Sequence, residues 1–282
     1  MFPPSTFPTI SLGTPANLTS TTSAFPPLPP PADVNSVLTA IRNSSSPYNE
    51  IRQPSEALLQ QWSDSYLHLH YRYASDFMIC LLHIIDWEAS SNSNTNYAAA
   101  GGGGGIIEDS SRLLAGILLK NCIHKAFSIP LDSLLQMTAS DAATSFRDNS
   151  NANNESTMEL LPSPHIIQQL LNERIVVRQT LPKLLFSESR IGGAAAGCSS
   201  NNAILIVHLQ LALSNIALFD FPKGWPSLLD DLMNVVVNGG LGGGGARLGS
   251  YSSNGMVRVR AIKTLRLCLS IIPPFTCLWI FF

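Results

Sequence analysis

Histidines and cysteines are the side chains of this chain that could hold a metal ion or attack a substrate, and their spacing supports neither role. His68 and His70 are two residues apart, so on a helix they would diverge by roughly 200°. His83 follows more than about three helical turns later, and no carboxylate or cysteine completes a ligand set. The five cysteines form no Cys-x-x-Cys pair, and neither Cys122 nor Cys198 has a recognisable histidine partner. We therefore expect no metal ion and no catalytic nucleophile.

Motifs typical of enzymes are also missing from the sequence. The chain contains no Gly-x-Ser-x-Gly, P-loop or His-Glu-x-x-His motif. The glycine run at 101–105 lacks the Lys-Ser or Lys-Thr that follows a phosphate-binding loop. The sequence therefore predicts a protein that is not an enzyme and that needs no cofactor.

Basic side chains at regular spacing are the remaining candidates for chemistry. One group is a stripe that recurs every four residues opposite the apolar face of a predicted helix; Arg112, Lys120 and His124 are its polar members, and Gly116 is the fourth position. A second group precedes the apolar run 267–282 and comprises Arg258, Arg260, Lys263 and Arg266. Cations in such patterns favour contact with an acidic surface, or form a solvated helix face.

Composition limits the classes of protein to which the chain can belong. Its 282 residues are 45% hydrophobic and 13% charged, with a net charge of −2. This composition excludes a wholly disordered chain and a generally basic nucleic-acid binder. The scattered cysteines favour a reducing, intracellular environment. The N-terminus lacks the basic and continuous apolar regions of a secretory signal.

The C-terminal residues form an unusual apolar tail. From Leu267 to Phe282 the run is shorter than the ~17–25 residues that span a bilayer, and Pro273 and Pro274 interrupt it. We expect residues 270–282 to be the end of a truncated reading frame, with a tail anchor as the alternative. We expect neither nucleic acid nor a membrane as a partner.

Helical segments separated by low-complexity stretches organise the rest of the chain. Residues 1–32 predict a disordered Pro/Ser/Thr-rich leader, and flexible insertions are predicted at about 89–107, 139–157, 188–202 and 238–255. The predicted helices are 33–43, 54–65, 68–87, 108–127, 164–187, 203–219, 225–237 and 256–271. Their order predicts four antiparallel hairpins, 33–65, 68–127, 164–219 and 225–271, stacked as an all-α solenoid, with a helical bundle as the alternative.

Three segments resemble the N-terminal region of importin-β (karyopherin-β) nuclear transport receptors. They are PSEALLQQW at 54–62, RLLAGILLKNCIHKAF at 112–127 and ALFDFPKGWPSLLDDLM at 217–233. In the second segment Arg112, Ala115, Lys120 and Asn121 occupy the positions of the family's Arg-x-x-Ala-x-x-x-x-Lys-Asn helix. In the third, the family's Asp-x-Pro-x-x-Trp-Pro-x-Leu corner is carried by Asp220, Pro222, Trp225, Pro226 and Leu228. The amino-acid sequences of these segments are most similar to those of the importin-eleven-like receptors.

The resemblance implies a fold and a function for residues 33–269. The fold would be a HEAT-repeat α-solenoid, a right-handed superhelix of about four antiparallel helix hairpins. Its concave face would bind the small GTPase Ran in its GTP form, through Arg112, Lys120, Asn121, His124 and Lys125. The second basic group would extend that face, whereas Trp225 and its neighbours would pack between hairpins.

The family's other partners follow from the same resemblance. They are Phe-Gly nucleoporins and a protein cargo, and the implied location is the cytoplasm and nucleus, including the nuclear envelope and pore. The alternative function is a HEAT-repeat scaffold or adaptor that ignores the nucleotide on Ran.

Overall fold

Every regular element in the described part of the chain is helical. The computed structural model describes residues 30–67, 76–86, 108–136, 163–186, 200–238 and 254–271. Its helices are α1 (Val34–Ser44), α2 (Asn49–Asp64), α3 (Phe77–Asp86), α4 (Asp109–Phe127), α5 (Pro164–Phe186), α6 (Ser200–Asp220), α7 (Leu228–Asn238) and α8 (Asn254–Ile271). A 3₁₀ turn at Ser65–Leu67 follows α2, and 131–136 is a further short helical segment. The all-α class predicted from the sequence is confirmed.

Contacts between the helices follow their order in the chain. Consecutive helices pack as the pairs α1–α2, α3–α4, α5–α6 and α7–α8. The second helices contact one another in the series α2, α4, α6 and α8, and the first helices do so in the series α1, α3 and α5. Each pair therefore packs against the next one along the chain.

Helix α6 is apolar nearly all round because neighbours cover it on several sides. It packs against α4, α5 and α8, and its packing against α4 is the most extensive between any two elements described. Gly116 of α4 allows this close approach, since a Cβ there would overlap Leu205 Cδ1. Among the described helices, only Ser200–Asp220 is long and apolar enough to cross a membrane by length and composition. Its contacts with three helices account for part of that composition, while Ile204 and Val207 remain 45% and 50% exposed.

Buried arginines close the C-terminal ends of three helices. Arg112 of α4 donates to Ile85 O at the end of α3, and Arg174 of α5 donates to Ala126 O at the end of α4. Arg260 of α8 donates to Leu185 O at the end of α5. The last carbonyls of a helix lack partners within it, and they carry partial negative charge. Guanidinium groups therefore satisfy these carbonyls and also balance the helix dipole.

Glu173, the residue before Arg174, contacts the N-terminus of a helix, whereas the arginines contact C-terminal ends. Its Oε1 accepts a hydrogen bond from Met78 N at 2.9 Å, in the first turn of α3, and another from the Tyr66 hydroxyl at 2.9 Å. A carboxylate is favourable at a helix N-terminus, where unpaired N–H groups carry partial positive charge. The adjacent residues Glu173 and Arg174 thus join α5 to both helices of the preceding pair.

The predicted helix starts at residues 54 and 225 are wrong. Each prediction places a proline in the first turn of its helix, and in the structure neither proline lies there. Helix α2 begins at Asn49, so Pro54 lies in its second turn and not in its first. The carbonyl that loses a partner there is that of Glu50, which lies in an exposed first turn open to water. Helix α7 begins at Leu228, so Pro226 precedes the helix. The first i→i−4 hydrogen bond of α7, from Asp231 N to Ser227 O, is 2.8 Å long.

The predicted helix 68–87 is also not continuous. Asp76 has φ 68°, a left-handed conformation that an α-helix cannot pass through. Its carbonyl accepts from Cys80 N at 2.8 Å, which makes Asp76 the residue before α3. Residues 68–75 lie outside the described ranges, as do nearly all of the predicted leader, most of each predicted insertion and residues 272–282.

Candidate functional site

A groove of about 470 Å³ lies on the second helices of three consecutive pairs, α2, α4 and α6. Leu118 and Leu211 supply its apolar surface, and the other lining residues are polar or charged: Gln60, Ser63, Lys120, Asn121, His124, Lys125 and Asn215. Four of the five residues predicted to bind a partner therefore lie together. The lining residues of α2 and α6 were not predicted from the sequence, since only the packing of α2 and α6 against α4 brings them to this face.

Lys125 is held in place by the neighbouring helix α2. Its Nζ donates to Ser63 Oγ at 2.7 Å and pairs with Asp64 Oδ1 at 2.7 Å. Gln60 Nε2 donates to the other oxygen of the same carboxylate at 2.8 Å. Because Asp64 already offsets its charge, Lys125 contributes an oriented donor to the groove.

Lys120 is the cation of the groove that has no acidic partner in the part of the chain that the structure describes. It is partly buried, and it makes no hydrogen bond or ion pair with any residue in the described ranges. The charge of Lys120 acts on His208 of α6. Burial lowers the pKa of His208, and the positive charge of Lys120 lowers it further. The Lys120 ammonium is therefore available to an acidic group entering the groove.

Asn121 and His124 complete the polar surface on α4. Both are exposed, and the His124 ring lies 5.5 Å from the Phe219 ring, measured between centroids. This aromatic contact restricts the imidazole and leaves it facing the groove. The surface thus combines an amide, an imidazole and two ammonium groups over an apolar strip.

Arg112 does not belong to this surface, which corrects the sequence prediction. Only 1% of the Arg112 side chain is exposed. Its Nε and Nη2 donate to Ile85 O at 3.2 and 3.1 Å, and Nη1 lies 3.9 Å from Asp109 Oδ1. Residues spaced by four share a side of a helix only approximately, because each step turns them about 40°. Over the two turns from Arg112 to Lys120 this rotation carries the arginine toward α3.

The second basic group does not extend the groove either. None of its four residues lines the groove, and Arg260 is buried with its guanidinium at the end of α5. Arg260 O and Thr264 Oγ1 accept from Gln210 Nε2 at 3.1 and 3.2 Å, which fixes α8 to α6. Arg258, Lys263 and Arg266 remain exposed on α8.

The corner between α6 and α7 is built around the buried carboxyl of Asp220. Its Oδ2 lies 3.1 Å from Arg178 Nε, and its backbone oxygen accepts from Gly224 N at 2.6 Å and Trp225 N at 3.2 Å. Arg178 also donates to Gly224 O. Burial raises the pKa of Asp220 above its ordinary value, while Arg178 and Arg174 oppose that rise.

The other residues of this corner pack or turn the chain. Trp225 is partly buried against the core and donates through Nε1 to Asp231 Oδ2 at 3.3 Å, and Leu228 is fully buried. Pro222 and Pro226 are exposed in the turns on either side, and the Phe221–Pro222 peptide bond is cis. The corner joins α5, α6 and α7.

Buried thiols in the described ranges are poor nucleophiles. Burial raises the pKa of Cys80, Cys122 and Cys268 to about 12, so all three are protonated at neutral pH. Within the same ranges, no group of three or more His, Cys, Asp or Glu side chains is placed to hold a metal ion.

Comparison of the chain with models of protein families, with curated proteins and with solved structures finds no match.

Proposed function

We propose that this chain is the N-terminal part of a nuclear transport receptor of the importin-β type, and that it binds Ran in its GTP form. The observation that supports this proposal is the gathering of Lys120, Asn121, His124 and Lys125 in one groove across three consecutive second helices. These are four of the five residues that the sequence resemblance assigns to Ran.

We infer further that the helix pairs are HEAT repeats stacked as a right-handed α-solenoid. The support is the order of contacts, in which second helices meet second helices along the chain. In a solenoid each repeat touches its neighbours, so small rotations add up along its length. Binding of Ran in the groove would then oppose binding of a protein cargo through an unfavourable coupling free energy.

The chemistry of the groove suits an acidic partner surface. Lys120 has no ion pair with any described residue, whereas Lys125 offers a donor already oriented by Asp64. Charge-assisted hydrogen bonds from these groups would orient the partner, and the Leu118–Leu211 strip would accept an apolar side chain. A receptor of this type would also contact Phe-Gly nucleoporins while moving between cytoplasm and nucleus through the pore of the nuclear envelope.

A binding titration tests the proposal directly. The full chain is titrated with Ran carrying a non-hydrolysable GTP analogue and, separately, with Ran carrying GDP. We expect binding to the GTP form only, and Lys120→Glu should raise the Kd at least about 30-fold, or about 2 kcal/mol.

Lys183→Glu is the matched control, because Lys183 is an exposed cation of α5 that does not line the groove. It should leave the Kd unchanged. Equal binding to both nucleotide forms, or no binding by a chain with a helical circular-dichroism spectrum, would favour the nucleotide-independent scaffold. An equal loss in both charge variants would show that the groove is not the contact.

A further inference from the structure

One side of helix α6 is apolar and is not covered by any other described helix. The contacts of α6 with α4, α5 and α8 bury the opposite side, which includes Leu205, Leu209 and Ile216. Four apolar residues recur at helical spacing on the uncovered side, and we call them the α6 strip. They are Ile204, Val207, Leu211 and Leu218. At 100° per residue these four lie within an arc of about 60°.

The α6 strip is open to solvent and continues the groove. Ile204 is 45% exposed, Val207 is 50% exposed and Leu218 is 37% exposed. Leu211, which lies between them on the helix, lines the groove. The strip therefore faces the same side as the groove, and it is about 21 Å long at 1.5 Å per residue.

A further helix pair at the end of the series would not cover the α6 strip. Among the second helices, α6 already lies between α4 and α8 and packs against both. In a stacked series each pair contacts only its neighbours, so a pair added after α8 would pack against α7 and α8. The exposure of the strip is thus a property of the described part of the protein.

The charges beside the α6 strip are positive. From Ser200 to Phe219, α6 contains no Asp or Glu, and His208 is its one ionisable side chain. Lys120 of α4 lines the groove together with Leu211 and has no ion pair with any described residue. An occupant that matches this surface presents a row of apolar side chains and at least one carboxylate.

An amphipathic helix of a partner protein has these features. Its apolar side chains recur every three or four residues, which is also the spacing of the α6 strip. A helix is about 10–12 Å across, so it can enter a groove and reach the partly buried Lys120. A bilayer surface is too flat to enter the groove. A second copy of the chain, packed strip against strip, would offer Lys120 no carboxylate from α6.

We propose that the α6 strip and the groove together bind an acidic amphipathic helix of a partner protein. The apolar side chains of that helix would lie on the strip, and an Asp or Glu would pair with Lys120. This contact surface includes Ile204 and Val207, which lie outside the lining of the groove. The proposal does not rest on recognition of Ran, because neither the strip nor its test involves a GTPase.

Fluorescence anisotropy of labelled synthetic peptides, titrated with the full chain, tests the proposal. The first peptide has about 18 residues, with Leu at helical spacing on one side and Glu on the other. A second peptide has Lys in place of every Glu, and a third has the composition of the first in an order without helical spacing. We expect the first peptide to bind at least about tenfold more tightly than either of the others.

Two variants test the two parts of the site. Ile204→Glu should raise the Kd of the first peptide at least about tenfold, because it removes an apolar contact and sets a carboxylate against an acidic helix. Lys120→Met should remove the preference for the Glu peptide over the Lys peptide. Ile175→Glu is the matched control: Ile175 is 46% exposed and lies on α5, so this variant should leave the Kd unchanged.

Circular dichroism at 222 nm checks that each variant is folded. Equal binding of the first and third peptides, an equal loss in Ile204→Glu and Ile175→Glu, or no binding of any peptide would each overturn the proposal. If the chain instead floats with anionic vesicles in an Ile204-dependent manner and binds no peptide, the strip serves a lipid surface and the helix proposal is wrong. No peptide titration contains Ran, so a failure here is distinct from a failure of the Ran titration.

Discussion

Arg112→Met should destabilise the fold, although the spacing of Arg112 suggests a surface residue. The side chain is 1% exposed, and two of its N–H groups share the Ile85 carbonyl at 3.2 and 3.1 Å. Because both donate to one acceptor, they count as about one charge-assisted bond, or roughly 1.5–3 kcal/mol. Loss of a cation at the end of α3 adds about 0.3–1 kcal/mol. Methionine fills much of the space, so the total cost is about 2–4 kcal/mol.

Urea unfolding followed by circular dichroism at 222 nm measures this cost. For a protein of the size of the described helices together, a loss of about 2–4 kcal/mol corresponds to a fall in Tm of about 5–15 °C. Arg266→Met is the control: it makes the same substitution at an exposed residue of α8 and should change stability by less than about 0.5 kcal/mol. If Arg112→Met costs no more than this control, then Arg112 does not stabilise the end of α3 and our assignment of its role is wrong.

Two further changes test the packing and the corner. Gly116→Val should cost about 1–3 kcal/mol of unfolding free energy, because its side chain would overlap Leu205, whereas nothing lies within 4 Å of a Cβ at Gly255 and Gly255→Val should cost less. Similar losses in the two variants would contradict close packing of α4 on α6. Asp220→Asn should gain stability relative to the wild type as the pH rises above about 4. Burial raises the pKa of Asp220, so the folded state binds the proton more tightly and the stabilisation from the neutral carboxyl is lost as the pH rises through that pKa. A constant difference between pH 3 and pH 7 would refute this.

The sequence predicts the existence of the helices better than it predicts their first residues. Helix α4 begins and ends within one residue of the predicted bounds, whereas α2 begins five residues before its predicted start. At Pro54 and Pro226 the residue type alone cannot fix the helix start. Pro226 lies just before its helix, whereas Pro54 lies inside α2 beyond the first turn, so a proline does not mark the first residue of a helix.

The candidate groove was predictable only in part. The periodicity of α4 places Lys120, Asn121, His124 and Lys125 on consecutive turns, which is a property of the sequence. The contributions of Gln60 and the other groove residues of α2 and α6 depend on how far each helix slides along its neighbour, and no single-helix pattern contains that information.

What the sequence alone determined is the all-α class and the series of helices, because 3.6-residue periodicity is a local property that needs no partner to be visible. What only the tertiary structure decided is which charged residues lie inside. Arg112 and Lys120 differ little as members of one helical stripe, yet the first closes the end of α3 and the second faces an open groove. A guanidinium is buried where a helix ends against it and leaves carbonyls to satisfy, and that juxtaposition arises only when distant segments pack.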